Sequence, residues 1–194
     1  MKYPKGVNIK TNQNNINYSN RGMSLESDLN ITNQYYRTND IAYIYKKPTP
    51  IKIVNVDYPS RKEAIIKKAY FEMPSTTDYN GLYKGKYIDF EAKETTSKTA
   101  FPLSNIHDHQ IEHIKNITKH GGICFLIVRF VKLNITFLLK SDDLLSFINQ
   151  NKRKSIPLNF FEEKAFVIND GYMPRIDYIK TINEVYGGAL NANK

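Results

Sequence analysis

Two carboxylates and a lysine stand where they could hold a divalent cation against a phosphate: Asp78, and Glu91 with Lys93 two residues further on. In a strand, successive side chains alternate faces. Asp89, Glu91 and Lys93 therefore share one face of the segment 88–93, and Ile88, Phe90 and Ala92 share the other. The runs 78–83 and 86–93 read as arms of a hairpin turning at Lys84-Gly85, which brings Asp78 opposite Glu91. Phosphodiester hydrolysis uses such a cluster. Mg2+ is a hard ion that takes oxygen ligands at about 2.0–2.1 Å, usually one or two carboxylates with substrate oxygens. It neutralises charge building on phosphorus and makes a water more acidic. A lysine beside it can orient or help deprotonate that water and stabilise the same charge. The same residues also suit a plain solvated strand face with a Lys–Glu pair, because a Glu-x-Lys triplet by itself is common. Asp78 at the partner position, the apolar opposite face and the basic charge of the chain bring the two readings level.

The elements that must position these residues form a mixed α/β pattern. Residues 1–19 are polar and Asn-rich, and read as a flexible arm ahead of a single domain over 20–194. Asn20 or Ser24 can cap a helix with Leu25, Leu29, Thr32 and Tyr36 on one face. Two strands, 41–45 and 51–56, flank Lys46-Lys47-Pro48-Thr49-Pro50, where two prolines break pairing. Segment 60–70 is ambiguous; Ser60 and Glu63 match a capping box, which suits a helix. After the hairpin, a helix over about 105–120 ends at Gly121-Gly122, where left-handed geometry is free of steric cost. Strands at 123–130 and 134–139, a helix from Ser141 and a last helix near 176–185 follow. The order predicts helices flanking one sheet.

The 194 residues suffice for one domain with a hydrophobic core. There are 28 Lys and Arg against 19 Asp and Glu, giving +9, and an excess of that size favours a polyanionic partner. No run of eighteen or more apolar residues predicts a membrane span. The opening residues lack the apolar stretch of a signal peptide, so a cytoplasmic protein is expected. Cys124, inside an apolar run, reads as a buried and inert thiol.

Longer strings carry a family resemblance. Thr76-Thr77-Asp78-Tyr79-Asn80-Gly81 with Ile88-Asp89-Phe90-Glu91-Ala92-Lys93-Glu94 resembles the active-site segment of the RecU Holliday junction resolvases, within the PD-(D/E)xK nuclease superfamily. The likeness continues in Ser19-Asn20-Arg21-Gly22-Met23, Lys46-Lys47-Pro48-Thr49-Pro50, Phe101-Pro102-Leu103, His107-Asp108-His109-Gln110 and Pro174-Arg175-Ile176-Asp177-Tyr178, so it spans residues 18–180. It implies a restriction-endonuclease-like mixed sheet flanked by helices, with a protruding stalk at about residues 57–75. It implies Asp78 and Glu91 as ligands of Mg2+, which Mn2+ could replace, with Thr76 and Gln110 completing the metal site and Lys93 as transition-state stabiliser. The activity implied is resolution of four-way junctions by paired symmetric nicks leaving 5′-phosphate ends, in recombination and repair. The implied partners are a second copy of the chain, the RecA strand-exchange protein and branch-migration proteins. A restriction-type or repair endonuclease on linear duplex is the alternative from a second class. A non-catalytic junction-binding modulator is the third, disfavoured because Asp78, Glu91 and Lys93 are all present.

Other residues carry weaker signals. Arg21 could clamp a phosphate with its planar guanidinium, or be plain surface charge. Glu26, five residues on, resembles a Glu that approaches the metal site in archaeal junction resolvases. Lys46, Arg61 and Phe71 are, by resemblance, junction contacts; their basic and aromatic types suit phosphate contact plus base stacking. His109 and His113 at i, i+4 lack a further soft ligand at zinc spacing, so DNA contact or helix capping suits them better. The first twenty residues carry fewer basic groups than the arm family members can have.

Overall fold

A six-stranded sheet carries the candidate residues on its third strand, in a computed structural model that describes residues 23–72, 76–150 and 152–191. The expected arm at 1–19 and Arg21 lie outside the described residues. The strands are β1 (Tyr43–Lys46), β4 (Tyr79–Tyr83), β5 (Lys86–Thr95), β7 (Ile123–Phe130), β8 (Ile135–Lys140) and β10 (Phe166–Ile168), in that spatial order. Only β5 and β7 run parallel, and the helix α2 (Asp108–Lys119) lies on the crossover between them. Two strands outside this sheet, β2 (Ile51–Asp57) and β3 (Ile65–Phe71), pair only with each other. Short β6 (Ala100–Pro102) and β9 (Ser155–Pro157) form a third ribbon. The remaining helices are α1 (Leu25–Thr38), α3 (Ser141–Gln150), α4 (Leu158–Lys164) and α5 (Tyr178–Asn191). No helix among the described residues is long and apolar enough to cross a membrane.

The alternation along β5 divides the core. On one side Ile88 and Phe90 pack with Phe125, Ile127, Leu29 and Tyr36 of α1, and Tyr178 and Ile182 of α5. On the other, Cys124, Leu126 and Val128 meet Ile114 of α2, Leu144 of α3 and Phe161 of α4. The result is a three-layer α/β/α domain. Tyr79, Phe90 and Phe125 are register partners on adjacent strands and stack face to face, with centroids 4.8 and 4.9 Å apart. This ladder lies directly behind Glu91 and fixes the register of β4, β5 and β7. Slippage by one residue would carry every site residue to the opposite face.

Several local expectations are met by identifiable chemistry. Lys84 and Gly85 both have positive φ, 48° and 72°, the geometry of a two-residue turn that matches strand twist. Helix α2 stops where Gly121, at φ 82°, donates to the Thr118 carbonyl and Gly122 donates to that of Ile117. Of the two caps considered for α1, Ser24 accepts from the Ser27 amide at 3.2 Å, and Glu94 of β5 accepts from the Leu25 amide at 2.8 Å.

The largest difference from the sequence reading is the segment 51–71. Ser60 and Glu63 do bond, Oγ to Oε2 at 3.0 Å with the Glu63 amide on the Ser60 carbonyl at 3.1 Å, but they close a turn at a ribbon tip and no helix follows. The chain returns as β3, so the projecting element begins at Ile51, earlier than the 57 expected from resemblance. Every residue of β2 and β3 is exposed. The ribbon is thus a stalk standing away from the domain.

Candidate metal and DNA site

Glu91 lies at the centre of the cluster. Its side chain is fully buried although it points to the polar side of β5, because α2 covers that face. The β4–β5 pairing, with Tyr79 opposite Phe90, places Asp78 at the position facing Glu91. The Asp78 amide donates to Glu91 Oε2 at 3.1 Å, and the Ala92 amide donates to Asp78 Oδ2 at 3.4 Å. Gln110 reaches the same carboxylate from α2, its Nε2 donating to Glu91 Oε1 at 2.8 Å. The orientation of that amide is set by its other end: Gln110 Oε1 accepts from the His107 amide at 3.0 Å, as part of the N-terminal cap of α2. Lys93 Nζ pairs with Glu91 Oε1 from two residues along the strand.

Burial pushes the Glu91 carboxyl up to about 7 from 4.5; the Asp78 charge adds to this and Lys93 opposes it. Two carboxylates sharing a covered site with one ammonium are short of positive charge. A hard divalent cation would supply it, and Mg2+ is normally held by one or two protein carboxylates. Among the described residues no group of three or more His, Cys, Asp or Glu forms a metal cage. Asp78 and Glu91 could therefore hold a cation only with help from neutral oxygens or substrate.

Thr76 stands two residues before Asp78, and its hydroxyl donates to the Thr77 carbonyl at 3.3 Å. Glu26 is not joined to Asp78 or Glu91; its carboxylate pairs with Lys46 of β1. The histidines do not gather either: His107 and His109 stack at 5.4 Å, while His113 turns to Asp89, Nε2 at 3.3 Å from Oδ2. Cys124 is buried, which raises its thiol pKa out of the reactive range. Phe71 is 83% exposed on the stalk, Tyr70 is exposed with Lys68 over its ring at 5.3 Å, and Arg61 sits exposed at the tip.

Lys47 and Thr77, which spacing did not single out, are also drawn in. Lys47, Thr77 and Asp89 form a polar knot beside Asp78. A groove of about 370 Å³, lined by Lys46, Lys47, Pro48, Thr76, Thr77 and Asp78 among others, runs from the stalk root to the metal-ligand candidate. The only sequence signal for it was a lysine pair preceding two prolines.

A mixed sheet flanked by helices, with Asp78 on one hairpin arm and Glu91-x-Lys93 on the other, has the layout of the PD-(D/E)xK nuclease superfamily. The chain belongs to the RecU family: the model for Recombination protein U matches residues 20–184. It is 55% identical to the Holliday junction resolvase RecU of Geobacillus sp. (strain WCH70), over 95% of this chain and 97% of that one. The resolvase RecU of Geobacillus thermodenitrificans (strain NG80-2) is 54% identical over 96% of this chain and 98% of its own. That of Bacillus cereus (strain G9842) is 54% identical over 94% and 91%. Among solved structures, Archaeoglobus fulgidus Hjc, a Holliday junction resolvase, is similar at TM-score 0.38 and 7% identity over 68% of this chain and 92% of that one, too slight a likeness to bear on the fold.

Proposed function

We propose that this chain is a Mg2+-dependent, structure-specific DNA endonuclease that resolves Holliday junctions by paired symmetric nicks, with Mn2+ able to substitute. The observation that carries it is the covered Glu91 carboxylate held between Asp78, Lys93 and Gln110 at the root of an exposed stalk. Asp78 and Glu91 are the ionic ligands, and Thr76 and Gln110 complete the site. A cation bound there would act as a Lewis acid on the scissile phosphate and make an attacking water more acidic. The chain's own residues do the rest. Gln110 fixes one Glu91 oxygen and the Asp78 amide the other, so the carboxylate need not reorganise during the reaction. Lys93, a quarter exposed at 23%, presents its ammonium between Glu91 and the cleft, where negative charge grows on the phosphate. Products would carry 5′-phosphate ends.

Substrate selection belongs to the stalk, with Lys46, Arg61 and Phe71 as junction contacts and Arg21 as a phosphate clamp from outside the described residues. The domain runs over 20–194, with 1–19 as an arm. A homodimer is supported by two exposed apolar surfaces: Ile51, Ile53, Val54, Val56, Ile65 and Ile66 on the stalk, and Tyr43, Tyr45, Leu82 and Tyr87 on the open face of β1, β4 and β5. Water is a poor partner for surfaces of that kind. Two-fold symmetry would set two centres on opposed strands of a symmetric junction. Contacts with RecA and with branch-migration proteins extend the proposal to recombination, in the cytoplasm.

The test incubates a synthetic four-way junction, linear duplex and single strand with the protein and Mg2+. Symmetric nicks in the junction alone are expected. Equal cutting of linear duplex would replace resolution by a general endonuclease activity, and binding without cutting would remove the catalytic assignment. Sedimentation of the free protein should give a dimer.

A further inference from the structure

Asp89 is fully buried on the same face as Glu91, yet it takes no part in the proposed metal set. Its carboxylate is saturated by donors from separate parts of the chain. Lys47 Nζ donates to Oδ2 at 2.8 Å, the Tyr87 hydroxyl donates to Oδ2 at 2.9 Å, the Thr77 hydroxyl donates to Oδ1, and His113 Nε2 lies 3.3 Å from Oδ2. Lys47 Nζ also donates to Thr77 Oγ1 at 2.9 Å, closing a triangle, and its backbone amide donates to the Asp78 carbonyl at 2.8 Å. A covered carboxylate already neutralised by an ammonium is a poor place for a second cation, and a fully satisfied polar knot specifies one arrangement of its members.

The position of this knot in the chain gives it a task. The chain leaves the sheet at Lys47, runs out along β2, returns along β3, and re-enters at Thr76 and Thr77 just before Asp78. Lys47 and Thr77 are therefore the two roots of the stalk, and both are tied to Asp89 on the rigid central strand β5. A seven-residue ribbon extends about 23 Å, and DNA bound along it would act as a lever on those roots. Asp78 sits one residue beyond the second root.

We propose that Asp89 is a positioning residue for cleavage: with Lys47 and Thr77 it staples both stalk roots to β5, and so holds Asp78 in place opposite Glu91 to take the cation. This rests on the reading of Asp78 and Glu91 as the metal site.

The test compares two gentle changes at Thr77. Thr77→Val keeps the volume and removes the hydroxyl, whereas Thr77→Ser keeps the hydroxyl and removes a methyl. Mg2+ binding to the metal-free protein is followed by calorimetry, backbone exchange at Asp78 and Tyr79 by hydrogen–deuterium exchange, and junction binding in EDTA by gel shift. The staple predicts that Thr77→Val weakens Mg2+ binding by about tenfold and speeds exchange at Asp78, with junction affinity within about twofold, while Thr77→Ser stays close to the parent. Half-maximal cleavage should need correspondingly more Mg2+, with most of the rate recovered at saturation. Asp89→Asn should follow Thr77→Val; should it fail to fold, the Thr77 pair decides alone. A Thr77→Val protein with parental Mg2+ affinity overturns the proposal, as does Thr77→Ser proving the worse variant, since packing would then be the role. Failure of the parent itself to bind Mg2+ would instead overturn the metal site, so the two are told apart.

Discussion

In the proposed mechanism Glu91 is the central ligand, and its environment is at odds with its charge. Its carboxyl is raised to about 7 by burial and by Asp78, so near neutrality about half of the metal-free protein carries a proton there. Between 4.5 and about 7 the folded state holds more proton than the unfolded chain, so this group's contribution to stability declines as pH rises through that window. Glu91→Gln should flatten that slope and raise metal-free stability at pH 8 by about 2 kcal/mol, measured by denaturant melts at pH 5 and pH 8. A cation needs the ionised form, so Mg2+ affinity should weaken by up to about tenfold per pH unit below about 7, which calorimetry at pH 6 and pH 8 would reveal. An unchanged affinity would mean that Glu91 is not a ligand. The same exchange, with Asp78→Asn beside it, should abolish cleavage while leaving junction binding in EDTA within about twofold, because affinity resides in phosphate contacts elsewhere. If either variant cuts at the parental rate, the assignment is wrong.

At the scale of elements, the site depends on how closely β1, β4 and β5 approach. Gly81 of β4 pairs with Ile44 of β1, and a Cβ there would lie 2.1 Å from the Tyr43 carbonyl oxygen and 2.6 Å from Ile44 Cα. Backbone cannot yield as a flexible side chain can, so β1 would have to move. Gly81→Ala should cost about 3 kcal/mol in denaturant melts, and because β1 leads into Lys47, cleavage should suffer as well. A fully stable Gly81→Ala protein would contradict the packing of β1 on β4. The hairpin that delivers Asp78 to Glu91 was legible in the sequence, since a period of two and a Lys-Gly turn leave one register. Resemblance supplied Gln110, and its cap geometry explains why α2 holds it there. The stalk was not legible as a ribbon, because β2 and β3 are exposed throughout and lack the one-sided alternation that burial imposes, while the Ser60–Glu63 pair imitates a helix start. The Lys47–Thr77–Asp89 knot was invisible for another reason: its members are 30 and 42 residues from Lys47, and only the folded chain brings them together.

For the whole molecule, the excess charge of +9 and the stalk divide the labour of binding. General attraction to DNA comes from the charge and should fall steeply with salt for any DNA, whereas preference for a four-way junction has to come from shape. In the proposed reading shape is supplied by the stalk, which carries Arg61 at its tip and the exposed aromatic rings of Tyr70 and Phe71 near its root. Ile51 and Phe71 are paired across the ribbon, so replacing residues 52–70 by Asn-Gly would close it with a two-residue turn and leave both roots in place. Since every residue of β2 and β3 is exposed in the protomer, the shortened chain should still fold and keep its Mg2+ affinity, while loss of the stalk's apolar surface should weaken the dimer. Junction affinity should drop by about tenfold to a hundredfold, towards the value for linear duplex at the same salt. Gel shifts with both DNAs across a salt series would separate the two contributions. Coincident lines for the two DNAs would mean that shape recognition is lost and only charge attraction remains, whereas parental junction preference in the shortened protein would place selectivity outside the stalk.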